Sequence, residues 1–322
     1  MPHASIPPSL TAFGPCSLSN LGPGFDALGL CVTGPGDRVT ARRAEASGVT
    51  IEPPEARETP EAVNVPTDPA KNTAGRAASA VLRASGARGG IALRIEKGIP
   101  LGSGIGGSAA SSVAGAWAAN EVLGRPFAKG ELVEAVLEGE SATGSRHGDN
   151  VLPALLGGML LVDPADPTRF RRLDLPETPP LAVVLPSVQV LTHEARAVLP
   201  AAVPHGDASA QAAALAFLLD ALRAGDWPEA GRALMADRLA EPFRAPLVPV
   251  HADVREAALA SGAFGCTLSG SGPAMVALAS GETVQPVLDA MLGACRARGV
   301  EATGWVAEVD TTGVRTLPPE AE

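Results

Sequence analysis

PLGSGIGGSAASS, residues 100–112, is the stretch that decides the fold. Its four glycines, Gly102, Gly104, Gly106 and Gly107, stand between an alternating apolar run, IALRIEKGIP (91–100), and a run of small residues, AASSVAGAWAANEVLG (109–124). Ile91, Leu93 and Ile95 share one face of a strand, and the small residues read as a tightly packed helix ended by Gly124. Glycine admits positive φ and close approach of a backbone. A helix that starts behind such a loop offers unpaired N–H groups and the positive end of its dipole. Together they form an anion pocket suited to a triphosphate, and Ser103, Ser108, Ser111 and Ser112 add hydroxyls. A tight packed turn is the plainer alternative. A Walker A loop is excluded because no Lys follows the glycines. Gly102, Gly104 and Gly107 match G-x-G-x-x-G, but KGIPL separates them from the strand and the stretch about twenty residues on reads as helix, against a dinucleotide fold.

Outward from this loop, the chain of 322 residues is long enough for two domains, and 46% hydrophobic against 19% charged residues is a core-forming balance. A net charge of −10, without a basic stripe, disfavours nucleic acid. The start, MPHASIPPSL, lacks the features of a signal peptide, and no apolar run is long enough to span a bilayer. A soluble, cytoplasmic protein is expected. Cys16, Cys31, Cys266 and Cys295 form no C-x-x-C pair and read as buried small hydrophobes. Lysine occurs only at 71, 97 and 129, and no function is read from that.

Residues 27–43 read as strands with a turn at GPGD (34–37), 52–69 as a Pro- and Glu-rich loop, and 127–140 as a helix. Asn72 opens a helix that stops at Gly86. Composition changes after GGMLLVDPADP (157–167), which sets the expected domains at 1–165 and 166–310, with a flexible tail at 311–322. The second half reads as a strand (179–187), helices at 207–224, 227–240 and 251–261, a strand–turn–strand (264–280), a helix (284–298) and a strand (302–309). The mixture predicts two α+β layers.

The loop resembles the second motif of the GHMP kinases, the superfamily of galactokinases, homoserine kinases, mevalonate kinases and phosphomevalonate kinases, which reads roughly P-x-x-x-G-L-G-S-S-A-A. Here Ile105 replaces Leu and Gly107 replaces the first Ser. Two further motifs follow the family's order: PCSLSNLGPGFDALGL (15–30) resembles its N-terminal motif, and CTLSGSGPAMVAL (266–278) its C-terminal glycine loop. ESATGSRHGDNVLPALLGGM (140–159), THEARAVLP (192–200) and EPFRAPLVP (241–249) are similar to homoserine kinase segments.

The resemblance implies a two-domain α+β architecture, with an N-terminal domain like ribosomal protein S5 and a ferredoxin-like C-terminal domain. It implies ATP and Mg²⁺, L-homoserine as acceptor, O-phosphohomoserine for threonine biosynthesis as product, and a homodimer as an expected assembly. The ATP loop would be Pro100, Leu101, Gly102, Ser103, Gly104, Ile105, Gly106, Gly107, Ser108, Ala109 and Ala110. Ser108 and Glu140 would hold the metal, and Asn72 would reach the nucleotide unless it is a plain helix cap. The substrate's carboxylate would meet Arg196 and Arg244, helped by Thr192. Its ammonium would meet Asp26, with Asn20, His147 and Gly270 completing the pocket. Asn150 would orient the acceptor hydroxyl, and the neighbouring Asp149 is the other catalytic candidate. Another GHMP kinase acting on mevalonate or a sugar, and a non-catalytic GHMP-fold binding protein, stand as alternatives.

Overall fold

In the computed structural model, residues 9–53, 65–144 and 146–318 are described. The middle of the Pro- and Glu-rich loop (54–64) and the last residues of the expected tail lie outside them. The first half is a sheet with helices on one face. Its strands are β1 (Ser9–Ser19), β2 (Leu28–Ala44), β3 (Gly48–Ile51) and β4 (Gly90–Glu96), in the order β1-β2-β4-β3. β3 runs parallel to β4 and the other pairs are antiparallel.

β2 is continuous, so the turn expected at GPGD is not there. A register shift between Pro15 and Ser17 of β1 sits opposite. Gly34 and Gly36 let large rings approach instead: a Cβ on Gly34 would lie 2.4 Å from the Trp305 indole nitrogen, and one on Gly36 would lie 2.3 Å from the Phe13 ring. The two glycines mark bulky neighbours rather than a chain reversal.

Helix α1 (Thr73–Ser85) starts at Asn72 and ends at Gly86 in the left-handed conformation, as the sequence predicts. Helices α2 (Gly107–Val122), α3 (Val133–Glu140) and α4 (Gly148–Leu156) complete the layer. α2 is almost wholly buried, which explains its run of Ala, Ser and Gly. At Gly115 an added Cβ would meet the Ala74 backbone at 2.5 Å, and at Gly139 it would meet the Ser112 hydroxyl at 2.2 Å. Small residues are what allow α1, α2 and α3 to pack this closely against one another.

The boundary expected at 165/166 falls inside a hairpin, β5 (Met159–Val162) with β6 (Phe170–Leu173), and β5 pairs with β2. Both strands therefore belong to the first sheet. The stretch expected as a tail also returns to it: β11 (Arg315–Thr316) pairs with β1, and Val314 is fully buried. A second, antiparallel sheet has the order β10-β7-β9-β8, from β7 (Leu181–Pro186), β8 (Gly265–Leu268), β9 (Met275–Leu278) and β10 (Ala302–Ala307). Its helices are α5 (Thr192–Ala197), α6 (His205–Ala224), α7 (Trp227–Leu234), α8 (Glu241–Arg244), α9 (His251–Ala260) and α10 (Val284–Ala297). One apolar cluster joins the two halves, bringing Leu18 and Leu28 against Val183, Leu218 and Val276. All four cysteines are buried and free, as expected. Among the described residues no helix is long and apolar enough to cross a membrane.

Candidate active site

A cleft of about 250 Å³ opens between the halves, walled by the turn after β1, the glycine loop, the end of α3, the start of α4, α5, α8 and the β8–β9 turn. The loop's conformation explains its glycines. Gly104 and Gly106 have φ of +77° and +74°, and a Cβ on Gly104 would lie 2.7 Å from the carbonyl oxygens of both Ser269 and Gly272. The β8–β9 turn lies directly against the loop: the Ser269 hydroxyl donates to the Gly104 carbonyl at 2.7 Å, and the Ala274 amide to the Ser103 carbonyl at 3.2 Å. Gly106 precedes α2 without any side-chain cap. Leu101 and Gly102 form a tight turn, and among the described residues no amide from Gly104 to Ala109 donates to another protein group.

A buried ion pair fixes the loop from behind. Lys97 pairs with Asp37 of β2 and donates to the Gly107 carbonyl and the Ser111 hydroxyl, each at 3.0 Å. Asp37 also accepts from the Gly98 and Ile99 amides at 3.0 and 3.2 Å. Every partner of this carboxylate lies on the loop or beside it, so its desolvation is matched by hydrogen bonds.

At the other end, Arg196 forks onto Asp26 at 2.9 and 2.7 Å and donates at 2.9 Å to Nε2 of His147. Burial pushes the His147 pKa down, which suits a neutral ring accepting through Nε2. Arg244 is 3% exposed and donates to the carbonyls of Ala195 and Gly270 at 3.1 and 2.9 Å. Asn20 donates to the same Gly270 carbonyl at 2.8 Å and accepts from the Asp26 amide at 3.0 Å.

Glu140 and Asp149 lie between the two ends. The Ser108 hydroxyl donates to Glu140 Oε1 at 2.9 Å, while Glu140 Oε2 and Asp149 Oδ1 are buried without a partner. Burial raises both pKa values to about 7. The Ser108 hydrogen bond partly opposes this for Glu140, and the Asp26 charge reinforces it for Asp149. Asn150 is held on both sides: Ser17 donates to its Oδ1 at 2.9 Å and its Nδ2 donates to Ser19 at 2.8 Å. Among the described residues no group of three or more His, Cys, Asp or Glu converges on one point.

The raised pKa of Glu140 gives a stability prediction. Protonation favours the folded state here, so the contribution is complete below the ordinary carboxyl pKa and is lost as pH rises toward 7. Without added metal or nucleotide, Glu140→Gln should melt roughly 3–8 °C above the parent at pH 8. The two should coincide near pH 5, as thermal unfolding across that range will show.

Comparison with known proteins places this geometry. Residues 72–158 match the model of the GHMP kinases N terminal domain, and residues 218–297 that of the GHMP kinases C terminal domain. The chain is 40% identical over 301 residues to a homoserine kinase of Pyrococcus furiosus, covering 93% of this chain and 98% of that one. It belongs to the homoserine kinase family. A homoserine kinase of Arabidopsis thaliana is 40% identical over 85% of this chain and 75% of its own length. The crystal structure of a homoserine kinase from Cytophaga hutchinsonii superposes with a TM-score of 0.93 at 36% identity, covering 98% of this chain and all of that one. The structure of an L. major mevalonate kinase, 18% identical with a TM-score of 0.66, shares the fold.

In this homoserine kinase family member, Asn20, Asp26, His147, Asp149, Asn150, Thr192, Arg196, Arg244, Gly270 and Glu140 all line the one cleft, with Pro100 to Gly104 and Gly106 to Ser108. Ile105, Ala109 and Ala110 do not: they are fully buried and anchor the loop through packing. Asn72 also lies outside that lining. Its Oδ1 accepts from the Gly75 amide at 3.1 Å and its Nδ2 donates to the Pro66 carbonyl at 2.9 Å, the bonds of a helix cap. Sequence reasoning missed Ser17 and Ser19, which hold Asn150, as well as Thr143 and Ser271 of the lining and the Lys97–Asp37 pair. The signal for Ser19 lay in SNLGPGFD itself. For Lys97 it lay in the scarcity of lysine.

Proposed function

We propose that this chain transfers the γ-phosphoryl group of ATP to the hydroxyl of L-homoserine. One observation carries the reading: a run of unengaged loop amides at a helix start shares one cleft with two arginines and an aspartate that match the two charges of an amino acid. The amides from Gly102 to Ser108 receive the triphosphate, where backbone N–H groups and the α2 dipole stabilise negative charge. The site fits Mg²⁺, because Glu140 presents a buried, unpartnered oxygen beside the Ser108 hydroxyl. Mg²⁺ needs few protein ligands besides phosphates and water, and it would neutralise charge on the β- and γ-phosphates there. To reach a base, Asn72 would have to exchange its Pro66 partner.

At the acceptor end, homoserine's carboxylate takes Arg196 and Arg244, a planar fork being suited to it. Its ammonium takes Asp26. Asn150, fixed between Ser17 and Ser19, orients the acceptor hydroxyl, whose oxygen bonds to Pγ as the bond from Pγ to the ADP oxygen breaks. The hydroxyl proton passes to the transferred phosphoryl group. Asp149, whose carboxyl pKa is raised by burial to about 7, offers polar contact on the same wall. Alignment of this kind supplies much of the barrier reduction in phosphoryl transfer.

The test is ADP release from Mg²⁺-ATP with L-homoserine, mevalonate, galactose and L-serine as acceptors. Homoserine should exceed mevalonate and galactose by roughly 10²-fold or more in kcat/KM, since a site built for charged and hydrogen-bonding groups rejects ligands that leave them unpaired, and L-serine, whose hydroxyl is one methylene short of reaching the phosphate, by roughly 10- to 200-fold. Equal or better turnover of mevalonate or galactose refutes the assignment.

A further inference from the structure

Arg196 and Arg244 converge on the acceptor end of the cleft as like charges. Arg244 is buried and tied to two carbonyls. Arg196 is about a third exposed, and its main anchor is Asp26. That anchor is the group assigned to the substrate's ammonium. Once the ammonium engages Asp26, Arg196 keeps the neutral His147 ring at its edge, and any support for its planar face must not compete with the incoming carboxylate. An additional acid would compete; an aromatic face attracts a cation without adding an anion.

Phe25 stands in that position. Its ring centroid is 5.3 Å from Cζ of Arg196 and 5.2 Å from Cζ of Arg244. The ring is not itself part of the cleft lining. The turn that carries it is fixed: the Asp26 amide is bonded to Asn20, Asp26 has a φ of +56°, and the Ala27 and Leu28 amides donate to the Gly24 carbonyl. The backbone beneath the ring is thus fixed, and both guanidinium groups lie within cation–π distance of the ring.

We propose that Phe25 is a positioning residue for acceptor selection: its ring holds Arg196 and Arg244 together for the acceptor's carboxylate, and so favours α-amino-acid alcohols over amino alcohols without a carboxylate. The inference rests on the acceptor assignment above. It differs from a packing role in that only ligands bearing a carboxylate should feel the loss of the ring.

Steady-state kinetics of Phe25→Leu and Phe25→Tyr, with L-homoserine and with 3-aminopropan-1-ol, separate the two. The second compound keeps the ammonium and hydroxyl but lacks the carboxylate; where its turnover falls below detection, it is measured as a competitive inhibitor. Phe25→Leu should raise the homoserine KM roughly 5- to 30-fold, the loss of one cation–π contact to a buried guanidinium and one to a part-exposed guanidinium. The ATP KM and kcat should move less than about twofold, because neither reads the carboxylate contact. The constant for 3-aminopropan-1-ol should not change, and Phe25→Tyr should restore the homoserine KM. If Phe25→Leu weakens both compounds equally, raises the ATP KM in parallel, or leaves the homoserine KM unchanged, the selection role is wrong. A parent protein active on homoserine with an indistinguishable Leu variant removes the role of the ring alone. A parent inactive on homoserine removes the acceptor assignment with it.

Discussion

Gly106→Ala should lower kcat/KM for ATP by roughly 10²-fold or more, whereas Gly107→Ser, one position along, should stay within about tenfold of the parent. The contrast follows from the backbone. Gly106 has a φ of +74°, and a Cβ there would lie 2.2 Å from the Ser17 hydroxyl and 3.2 Å from Asn150 Oδ1. The chain cannot yield, because the Ser17 amide donates to the Ile105 carbonyl at 3.2 Å and the Ala110 amide to the Gly106 carbonyl at 2.8 Å. Alanine would therefore shift the start of α2 and, through Ser17, the side chain of Asn150. At Gly107 the φ is ordinary, and the nearest contact for a Cβ is a methyl group of Ile99 at 3.0 Å. A side-chain methyl gives way more readily than backbone, so the serine found in the family motif fits there. Steady-state kinetics with a thermal unfolding control read both variants. Equal activity in the two would contradict the loop's assigned part.

Arg196→Ala and Arg244→Ala should each raise the homoserine KM by roughly 10²-fold, since truncating one partner of a hydrogen-bonded charge pair costs about 2–5 kcal/mol. The ATP KM should move by less than about threefold, because neither guanidinium group bonds to the glycine loop; Arg244 reaches only the Gly270 carbonyl of the turn beside it. The two differ in their effect on the fold. Arg196→Ala strips Asp26 of its bidentate partner on a partly exposed wall. Arg244→Ala removes a buried donor from the carbonyls of Ala195 and Gly270, so a lower melting temperature should accompany the kinetic loss. Equal losses in homoserine and ATP affinity would count against the acceptor assignment.

The part of the fold that depends on local chemistry was legible in the sequence. Asn72 and Gly86 bound α1 because capping and left-handed residues act within one turn, and the strand, glycine loop and small-residue helix around Gly104 follow from period and backbone freedom. Readings that depend on distant partners were not. GPGD at 34–37 reads as a turn until Trp305 and Phe13 are seen against its glycines. The boundary at 165 and the tail after 310 look natural until β5 pairs with β2 and β11 with β1, contacts that no local pattern announces. The same holds at the cleft. The motifs named most of its lining, yet Asn72 and Ile105 belong to a cap and the core. The supports of the lining, Ser17, Phe25 and the Lys97–Asp37 pair, are long-range contacts visible only once the chain is folded.

A crystal structure with L-homoserine and a non-hydrolysable ATP analogue tests the central claim most directly. The account predicts the β- and γ-phosphates on the amides between Gly102 and Ser108, the homoserine carboxylate between Arg196 and Arg244, and its hydroxyl beside Asn150. A nucleotide bound elsewhere, with those amides making no contact to phosphate, would contradict it.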